Sequence, residues 1–330
     1  MTDPVISIEP LSDALMDAYL ASGMERGKSG RFAVEWAFRN NPAPFAVARN
    51  NGQIVGISGY IQSRMQFGSE TGIAFQAVDS FVSESMRGKG IFTQLARAYD
   101  AHAASSGGDL VWGFPNDNAA PAWFGKLGWH SHGQVPFLIK PLRAGFFCRK
   151  LRLPLDFPLT RARDQNLSSI AEVGEWGDAL WDLAAPDIHV GTVRDRAFLN
   201  HRLFNGPQAE QYRVVASPDN TAPAIVATRE AEKHGGRIAY VMEALGGLSL
   251  EPLVMSELGR LASRGVELAL AWSFPWSPNY HTLRKAGFVP LPERLRPIHI
   301  WFGSRPKSGL STLADDKGQW YLSYLDSDTV

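Results

Sequence analysis

One stretch, Val78 to Leu95 (VDSFVSESMRGKGIFTQL), holds an acidic residue and a basic, glycine-bearing turn. The turn, Arg87-Gly88-Lys89-Gly90-Ile91-Phe92, separates a strand pattern from a helix pattern. Its two glycines let the backbone pass close to a bound group with no Cβ in the way. N–H groups at the mouth of a helix point outward and carry its positive end. Arg87 and Lys89 add two cations. That chemistry suits a phosphate or pyrophosphate. Asp79 is the only acidic residue in the strand Phe75–Val82. A carboxylate there can take a proton from a nucleophile or hold a cationic substrate.

Spacing separates the possible phosphate loops. A P-loop needs Gly, four residues, then Gly-Lys-Ser/Thr. Here Gly90 follows Lys89, and no Ser or Thr is placed to hold magnesium. A dinucleotide fingerprint needs a third glycine where Thr93 stands. Neither fits, and a plain basic turn opening an ordinary helix remains an alternative for the six residues taken alone.

The neighbouring elements must position this stretch. Val5–Ile8 reads as a strand. Leu11–Ala21 has helical spacing with Ser12 or Asp13 as cap. Phe32–Phe38 reads as a second helix, ended by Asn40-Asn41-Pro42. Asn50-Asn51-Gly52 is a hairpin turn between Phe45–Ala48 and a strand running from Ile54 through Gly59 to Met65. Gly72–Val82 leads into the turn, and Ile91, Leu95 and Ala98 give the following helix one apolar face, closed by Gly107-Gly108. Leu110–Trp112 is a short buried-type strand, followed by Phe114-Pro115-Asn116 and a last short helix from Pro121 to Gly128-Trp129.

Composition bounds the answer. The chain has 330 residues, enough for about two domains. Lys+Arg and Asp+Glu are both 33, so nothing in the balance favours nucleic acid. A lone cysteine, Cys148, excludes an internal disulfide framework and fits a reducing compartment. The first ten residues lack the pattern of a signal peptide, and no apolar run is long enough for an integral membrane segment. A cytoplasmic location is the expectation.

Arg87-x-x-Gly90 after a strand resembles the acyl-CoA loop of the GNAT (GCN5-related) N-acetyltransferases, Arg/Gln-x-x-Gly-x-Gly/Ala. Phe92 stands where the family has Gly or Ala. Lys126-Leu127-Gly128-Trp129 resembles the family's Lys-x-Gly-aromatic ending, and the element order over roughly residues 5–142 matches. The resemblance implies an α/β fold with a central, twisted, mostly antiparallel sheet flanked by helices. It implies direct transfer of an acetyl or other acyl group from acyl-CoA to the amine of a small molecule, such as an amino sugar, in a ternary complex without a metal. The backbone of Arg87, Gly88, Lys89, Gly90, Ile91 and Phe92 would then hold the pyrophosphate. Phe81 and Val82 would align the pantetheine arm. Asn116 or Asn118 would contact CoA. Asp79 is the candidate base, with electrostatic binding of the substrate ammonium as its alternative, while Glu84 reads as solvated. Phe124 occupies the position at which many members carry a tyrosine acid, and would pack against the pantetheine. His130 and His132 alternate as on one strand face. With no further ligand evident they read as solvated or substrate-lining rather than metal-binding.

The chain also repeats itself. Phe32–Phe38 with Asn41-Pro42 and Phe45-Ala-Val47 resembles Phe198–Phe204 with Gly206-Pro207 and Tyr212-Arg-Val214. Asp109–Pro115 resembles Glu267–Pro275, and Lys126-Leu-Gly-Trp129 resembles Lys285-Ala-Gly-Phe288. These matches stand in the same order and indicate two tandem GNAT-like domains. The expected division is a catalytic GNAT domain at 1–142, a linker at 143–164, a degenerate copy at 165–305 and a tail at 306–330. Where the second copy should carry its loop, Ala244-Leu-Gly-Gly-Leu-Ser249 has glycines but no Arg or Lys. Only the first copy is therefore expected to bind acyl-CoA.

From Asn118 to Leu155 the chain has no Asp or Glu but carries Lys126, Lys140, Arg143, Arg149, Lys150 and Arg152. This reads as a linker strapped across the junction with its charges in water, or as a patch for an anionic substrate or a membrane surface. Trp320–Tyr324 reads as an added strand in the tail. Two other functions stay open. A non-catalytic acyl-CoA sensor would explain the missing tyrosine acid. A Fem-like aminoacyl transferase shares the tandem architecture but would use aminoacyl-tRNA, and the phosphate loop speaks against it.

Overall fold

The computed structural model describes residues 3–23, 30–160, 167–217, 221–233, 235–296 and 298–327. Residues 161–164 of the expected linker and 328–330 of the expected tail lie outside these. The chain opens with β1 (Val5–Glu9), α1 (Asp13–Ala21), α2 (Gly30–Phe38), β2 (Phe45–Asn50), β3 (Gln53–Phe67) and β4 (Glu70–Val82). Ser12 caps α1, its side chain accepting from the Leu15 N–H at 3.3 Å. Asn51 and Gly52, at φ 49° and 79°, make the tight turn between β2 and β3. Then follow α3 (Ile91–Ser105), β5 (Leu110–Gly113), α4 (Ala120–Gly125) and β6 (His130–Gln134).

The second half continues with β7 (Phe137–Pro141), α5 (Gly145–Lys150), α6 (Trp176–Ala184), β8 (Val190–Thr192), α7 (Arg196–Leu203), β9 (Tyr212–Ser217), β10 (Ala224–Lys233) and β11 (Gly236–Gly246). The remaining elements are α8 (Leu250–Ser263), β12 (Leu268–Trp272), α9 (Tyr280–Lys285), β13 (Val289–Pro290) and β14 (Trp301–Pro306).

The chain divides into two compact units that are not contiguous in sequence. Unit 1 is Met1–Val135 with His299–Gln319, and unit 2 is Pro136–Ile298 with Trp320–Val330. The sheet of unit 1 runs β1-β2-β3-β4-β5-β14-β6, and that of unit 2 runs β9-β10-β11-β12-β7-β13. The two orders correspond strand for strand from β2 and β9 onward. Along each of these two paths one pair is parallel, β4 with β5 and β11 with β12, and the other pairs are antiparallel. Both units are thus mixed α/β layers, the tandem GNAT-like architecture expected from the repeat.

The two sheets exchange one strand. β7 follows the first half in sequence but pairs with β12 and β13 in unit 2. β14 follows the second half but lies between β5 and β6 in unit 1. The unit boundaries therefore differ from the expected ones, which placed residues 137–141 with the first copy and 301–305 with the second. A five- or six-residue strand carries no local mark of which sheet will take it, because both offer the same kind of open edge.

β14 is held in unit 1 by specific contacts. Arg305 and Lys307 pair with the mostly buried Asp100 of α3, the lysine at 2.9 Å. Ser304 Oγ lies 2.8 Å from His132 Nε2, and Phe302 stacks on the His132 ring at 4.7 Å. A Cβ on Gly303 would stand 2.4 Å from the ring of Phe124, so glycine lets the strand approach α4. The core of unit 1 lies on both faces of its sheet. One cluster joins α1 and α2 to Phe45, Val47 and Ile57, and the other joins α3 to Tyr60, Phe75 and Val111. In unit 2 the main cluster packs α8 against Ala239, Val241, Ala269 and Ala271. By burying these faces the sheets hold in place the strand ends that carry the polar groups described next.

Candidate active site

The parallel pairing of β4 with β5 stops at Ala77 opposite Gly113. β4 runs on for five more residues, paired only with β3. The edge of β4 that faced β5 is therefore open from Val78 to Val82. A bulge interrupts the β3–β4 ladder here. Ser58 pairs with Ser80 and Gly59 with Val78, which leaves Asp79 as the extra residue, at φ 22°. The bulge re-aims the Asp79 side chain, and Tyr19 Oη from the last turn of α1 donates to its Oδ2. Tyr19 itself is fully buried against Phe38 and Phe45, so its hydroxyl is a fixed anchor for the carboxylate.

Backbone parity decides which residues face the open edge. Ser83 N–H donates to Val55 O at 2.8 Å, so Ser83 and Phe81 turn their backbone groups toward β3. Val82 turns its N–H and C=O the other way. Its carbonyl accepts from Arg87 Nε at 3.3 Å, which draws the Arg87 side chain over the open edge. Of the two residues expected to align an extended arm, Val82 has the backbone orientation for it and Phe81 does not.

The turn after β4 is a 3₁₀ turn, Glu84–Met86, followed by Arg87 in extended conformation. Gly88 and Gly90 have φ 77° and 75°, and an added Cβ on either would meet open space. Left-handed backbone is thus what these positions require. Gln94 N–H is the first of α3 to find its partner, Gly90 O, at 3.1 Å. The N–H groups of Ile91, Phe92 and Thr93 belong to the outward-pointing first turn of the helix. Arg87 and Lys89 are exposed on either side of Gly88. Phe92 turns its ring into the core, edge-on to Trp123 at 5.3 Å. Its size is absorbed by packing under α4, and its backbone stays in the turn. An open strand edge beside a glycine-bearing, cationic helix mouth fits a molecule with a diphosphate and an extended amide-bearing arm.

Residues 13–131 match the family model described as an acetyltransferase (GNAT) domain. That stretch is similar to a GNAT domain. Solved structures with the same fold include a GCN5-related N-acetyltransferase from Anabaena variabilis ATCC 29413, at 12% identity and a TM-score of 0.65 over 94% of this chain and 75% of that one. A second, from Kribbella flavida, is 14% identical with a TM-score of 0.64 over 94% and 74% of the respective chains. A conserved protein of unknown function from Enterococcus faecalis V583 is 11% identical with a TM-score of 0.61, covering 93% and 73%. No curated relative matches the sequence.

Within the GNAT domain the remaining expected residues separate. Asn116 serves as a cap: its Oδ1 accepts from Asn118 N–H at 3.1 Å and Ala119 N–H at 3.0 Å, setting up α4. Asn118 is exposed at the same turn. Between them Asp117 accepts from Trp301 Nε1 at 2.6 Å, so β14 fixes the loop that leaves β5. Phe124 packs on β14, over Gly303 and at 6.3 Å from Trp301. His130 and His132 do share a strand face, with ring centroids 4.8 Å apart. His132, however, is buried rather than solvated or substrate-lining, and burial pushes its pKa down to about 3. Ser304 and Phe302 of β14 cover it.

Tyr19 and β14 are the site components the sequence did not reveal. The one available sign for Tyr19 was a hydroxyl on the apolar face of α1, one residue before Leu20-Ala21. Nothing local distinguishes β14 from a strand of the second half.

In unit 2 the corresponding strand ends are filled. β11 and β12 pair up to Val241 and Ala271, with a bulge at Met242, and Glu243 lies just beyond. Glu243 is fully buried and accepts from Arg194 Nε at 2.7 Å, Tyr321 Oη at 2.5 Å and Ser323 Oγ at 2.9 Å. Arg194 also pairs with Asp326, which takes a further bond from Thr192 Oγ1 at 3.0 Å. Burial disfavours the Arg194 charge, but Asp326 and Glu243 outweigh it and raise the guanidinium pKa. Across the gap, Trp276 Nε1 donates to Trp320 O at 2.9 Å, and Tyr324 stacks on Trp272 at 4.4 Å. Residues 320–326 thus bridge the diverging ends of β11 and β12. They do not form the expected added strand: only Trp320 makes a single bridge, to Val190, and Tyr324–Asp326 is a 3₁₀ turn.

Proposed function

We propose that unit 1 transfers an acetyl or other acyl group from acyl-CoA to the amine of a small molecule. The observation that carries this reading is the open edge of β4 at Val82 beside the Arg87–Phe92 helix mouth, in a domain of the GNAT family. The diphosphate binds the backbone N–H groups at Ile91 and Phe92, with Arg87 and Lys89 as charge partners. The pantetheine amides extend the ladder along Val82 as a strand would. In this ternary complex the nucleophilic nitrogen must first lose a proton, because an ammonium has no lone pair. Asp79, held by Tyr19, accepts it. The amine then attacks the thioester carbonyl, whose developing oxyanion is met by a β4 backbone N–H. Collapse expels the CoA thiolate and leaves a protonated amide nitrogen, and water carries that second proton from the nitrogen to the thiolate, since Phe124 has no proton to give. A small amine such as an amino sugar is the acceptor class in this reading, and unit 2 serves as support without a second acyl-CoA site.

A second reading is acyl-CoA binding without transfer, favoured by Phe124 at the acid position. Thermal unfolding with acetyl-CoA tests both. A saturating ligand at about 100 times its Kd stabilises by roughly 2.7 kcal/mol. The wild type should show the corresponding rise in Tm, and Arg87→Glu/Lys89→Glu should lose it. No shift with any acyl-CoA sinks both readings. Thiol release over a panel of amino sugars, polyamines, amino acids and peptides then divides them: binding without release from any acceptor favours the sensor.

A further inference from the structure

The segment after α5 presents a run of large apolar side chains to solvent. Leu151, Leu153, Leu155, Phe157 and Leu159 are 71%, 46%, 53%, 51% and 51% exposed, and Phe147 of α5 adds a sixth. A soluble monomer seldom leaves such a group uncovered in one short stretch. The backbone is nevertheless anchored. Ala144 N–H donates to Phe157 O at 2.9 Å and Leu159 N–H to Leu142 O at 2.8 Å, and Arg143 pairs with Asp156 at 2.9 Å. From Leu153 to Leu159 the apolar residues alternate with Pro154, Asp156 and Pro158, so an extended chain collects them on one side.

The charge around this strap is positive. Arg149 is neutralised by Glu267 at 2.5 Å, and Arg143 by Asp156. Lys150 lies over the Phe146 ring at 4.4 Å, and Arg152 stands at φ 58° in the turn that closes α5. No acidic residue lies between Asn118 and Leu155 to offset these last two, and Asp156 is taken by Arg143; Arg161, Arg163 and Asp164 follow in the sequence, beyond the described residues. The chain as a whole is neutral, so this positive charge is local.

We infer that the strap Phe147–Leu159 docks on an anionic phospholipid surface. The leucines and phenylalanines enter the headgroup boundary, and Lys150 and Arg152 meet the phosphates. Among the described residues no helix is long and apolar enough to cross a membrane, so the contact is peripheral. A second copy of this chain is the poorer occupant, because a two-fold contact would bring together two patches of the same positive charge. The inference does not depend on acyl transfer.

Flotation of the full chain with phosphatidylcholine vesicles, with and without phosphatidylglycerol, tests it. The wild type should float with the mixed vesicles and much less with phosphatidylcholine alone. Lys150→Gln/Arg152→Gln should lower partitioning by roughly 30-fold, and Leu153→Ser/Leu155→Ser by roughly tenfold or more. All four positions are exposed, so unchanged unfolding curves will show that the variants fold. Absence of flotation, or equal flotation of wild type and variants, overturns the inference. So does sedimentation that shows a dimer dissociated by Leu153→Ser/Leu155→Ser together with no vesicle binding, which would assign the face to self-association.

Discussion

The mouths of the two units start from the same topology and end differently. In unit 1 the strand beyond the parallel pair presents Asp79, anchored by one hydroxyl, and an open edge at Val82. In unit 2 the equivalent strand presents Glu243, which is locked in a buried network with Arg194, Tyr321, Ser323 and Asp326. A buried carboxylate must be paired, and Arg194, Tyr321 and Ser323 pair this one. The loops differ in the same sense: Arg87 and Lys89 flank the first, whereas Leu248, 92% exposed, and uncharged neighbours form the second. An acidic residue at a splayed strand end can therefore stay half-buried, anchored by a tyrosine hydroxyl, or be tied into a buried network, and the partners brought by the rest of the chain decide which.

Exchanging the roles of these groups gives the largest effects. Arg194→Met should leave Glu243 and Asp326 buried without a cation and cost about 3–5 kcal/mol in denaturant unfolding. Arg87→Ala, at the exposed mouth, should leave stability within about 0.5 kcal/mol. Equal losses in the two would erase the distinction between a structural and a functional mouth. Asp79→Asn should lower the rate of acyl transfer roughly 100-fold or more at unchanged Tm. Glu243→Gln should do the reverse, and a Glu243→Gln enzyme that is inactive but stable would place chemistry in unit 2. Tyr19→Phe should give a smaller loss of rate than Asp79→Asn, because it frees the carboxylate without removing it.

The next effect concerns the exchanged strand. His132 is neutral in the folded chain because burial holds its pKa near 3, against about 6.5 when unfolded. The unfolded state therefore binds the extra proton between those values, and stability falls as pH falls through 6.5 toward 3. Between pH 6.5 and 5 the loss should be roughly 2 kcal/mol. His132→Gln should flatten that slope in unfolding curves taken at several pH values; an unchanged slope would mean that this contact does not hold β14. The smallest effect expected is that of Gly90→Ala, about 1–2 kcal/mol of strain from the left-handed backbone, with weakened acyl-CoA binding.

Much of unit 1 was legible. The Asn51-Gly52 turn, the Ser12 cap and the Gly88/Gly90 loop each rest on backbone conformations that few residue types favour, so local sequence reveals them. Asp79 stood out as the sole acid on its strand. Tyr19 did not, because its partner lies sixty residues away and its own helix face reads as core. Trp320–Tyr324 alternates like a strand, yet these side chains were needed to fill the mouth of unit 2, and burial of their bulk overrode the strand pattern. His132 read as solvated or substrate-lining, and β14 covers it instead.

The amino-acid sequence by itself determined most of the elements, the repeat and the glycine-bearing basic turn, since these follow from periodicity and from glycines at left-handed positions. Tertiary structure alone decided which sheet takes β7 and which takes β14, which acidic residue stays half-buried and which is fully buried, and which mouth is closed by the tail. The physical reason is that strand pairing and burial depend on edges and cavities assembled from distant segments. The same local pattern fits either sheet until those segments meet.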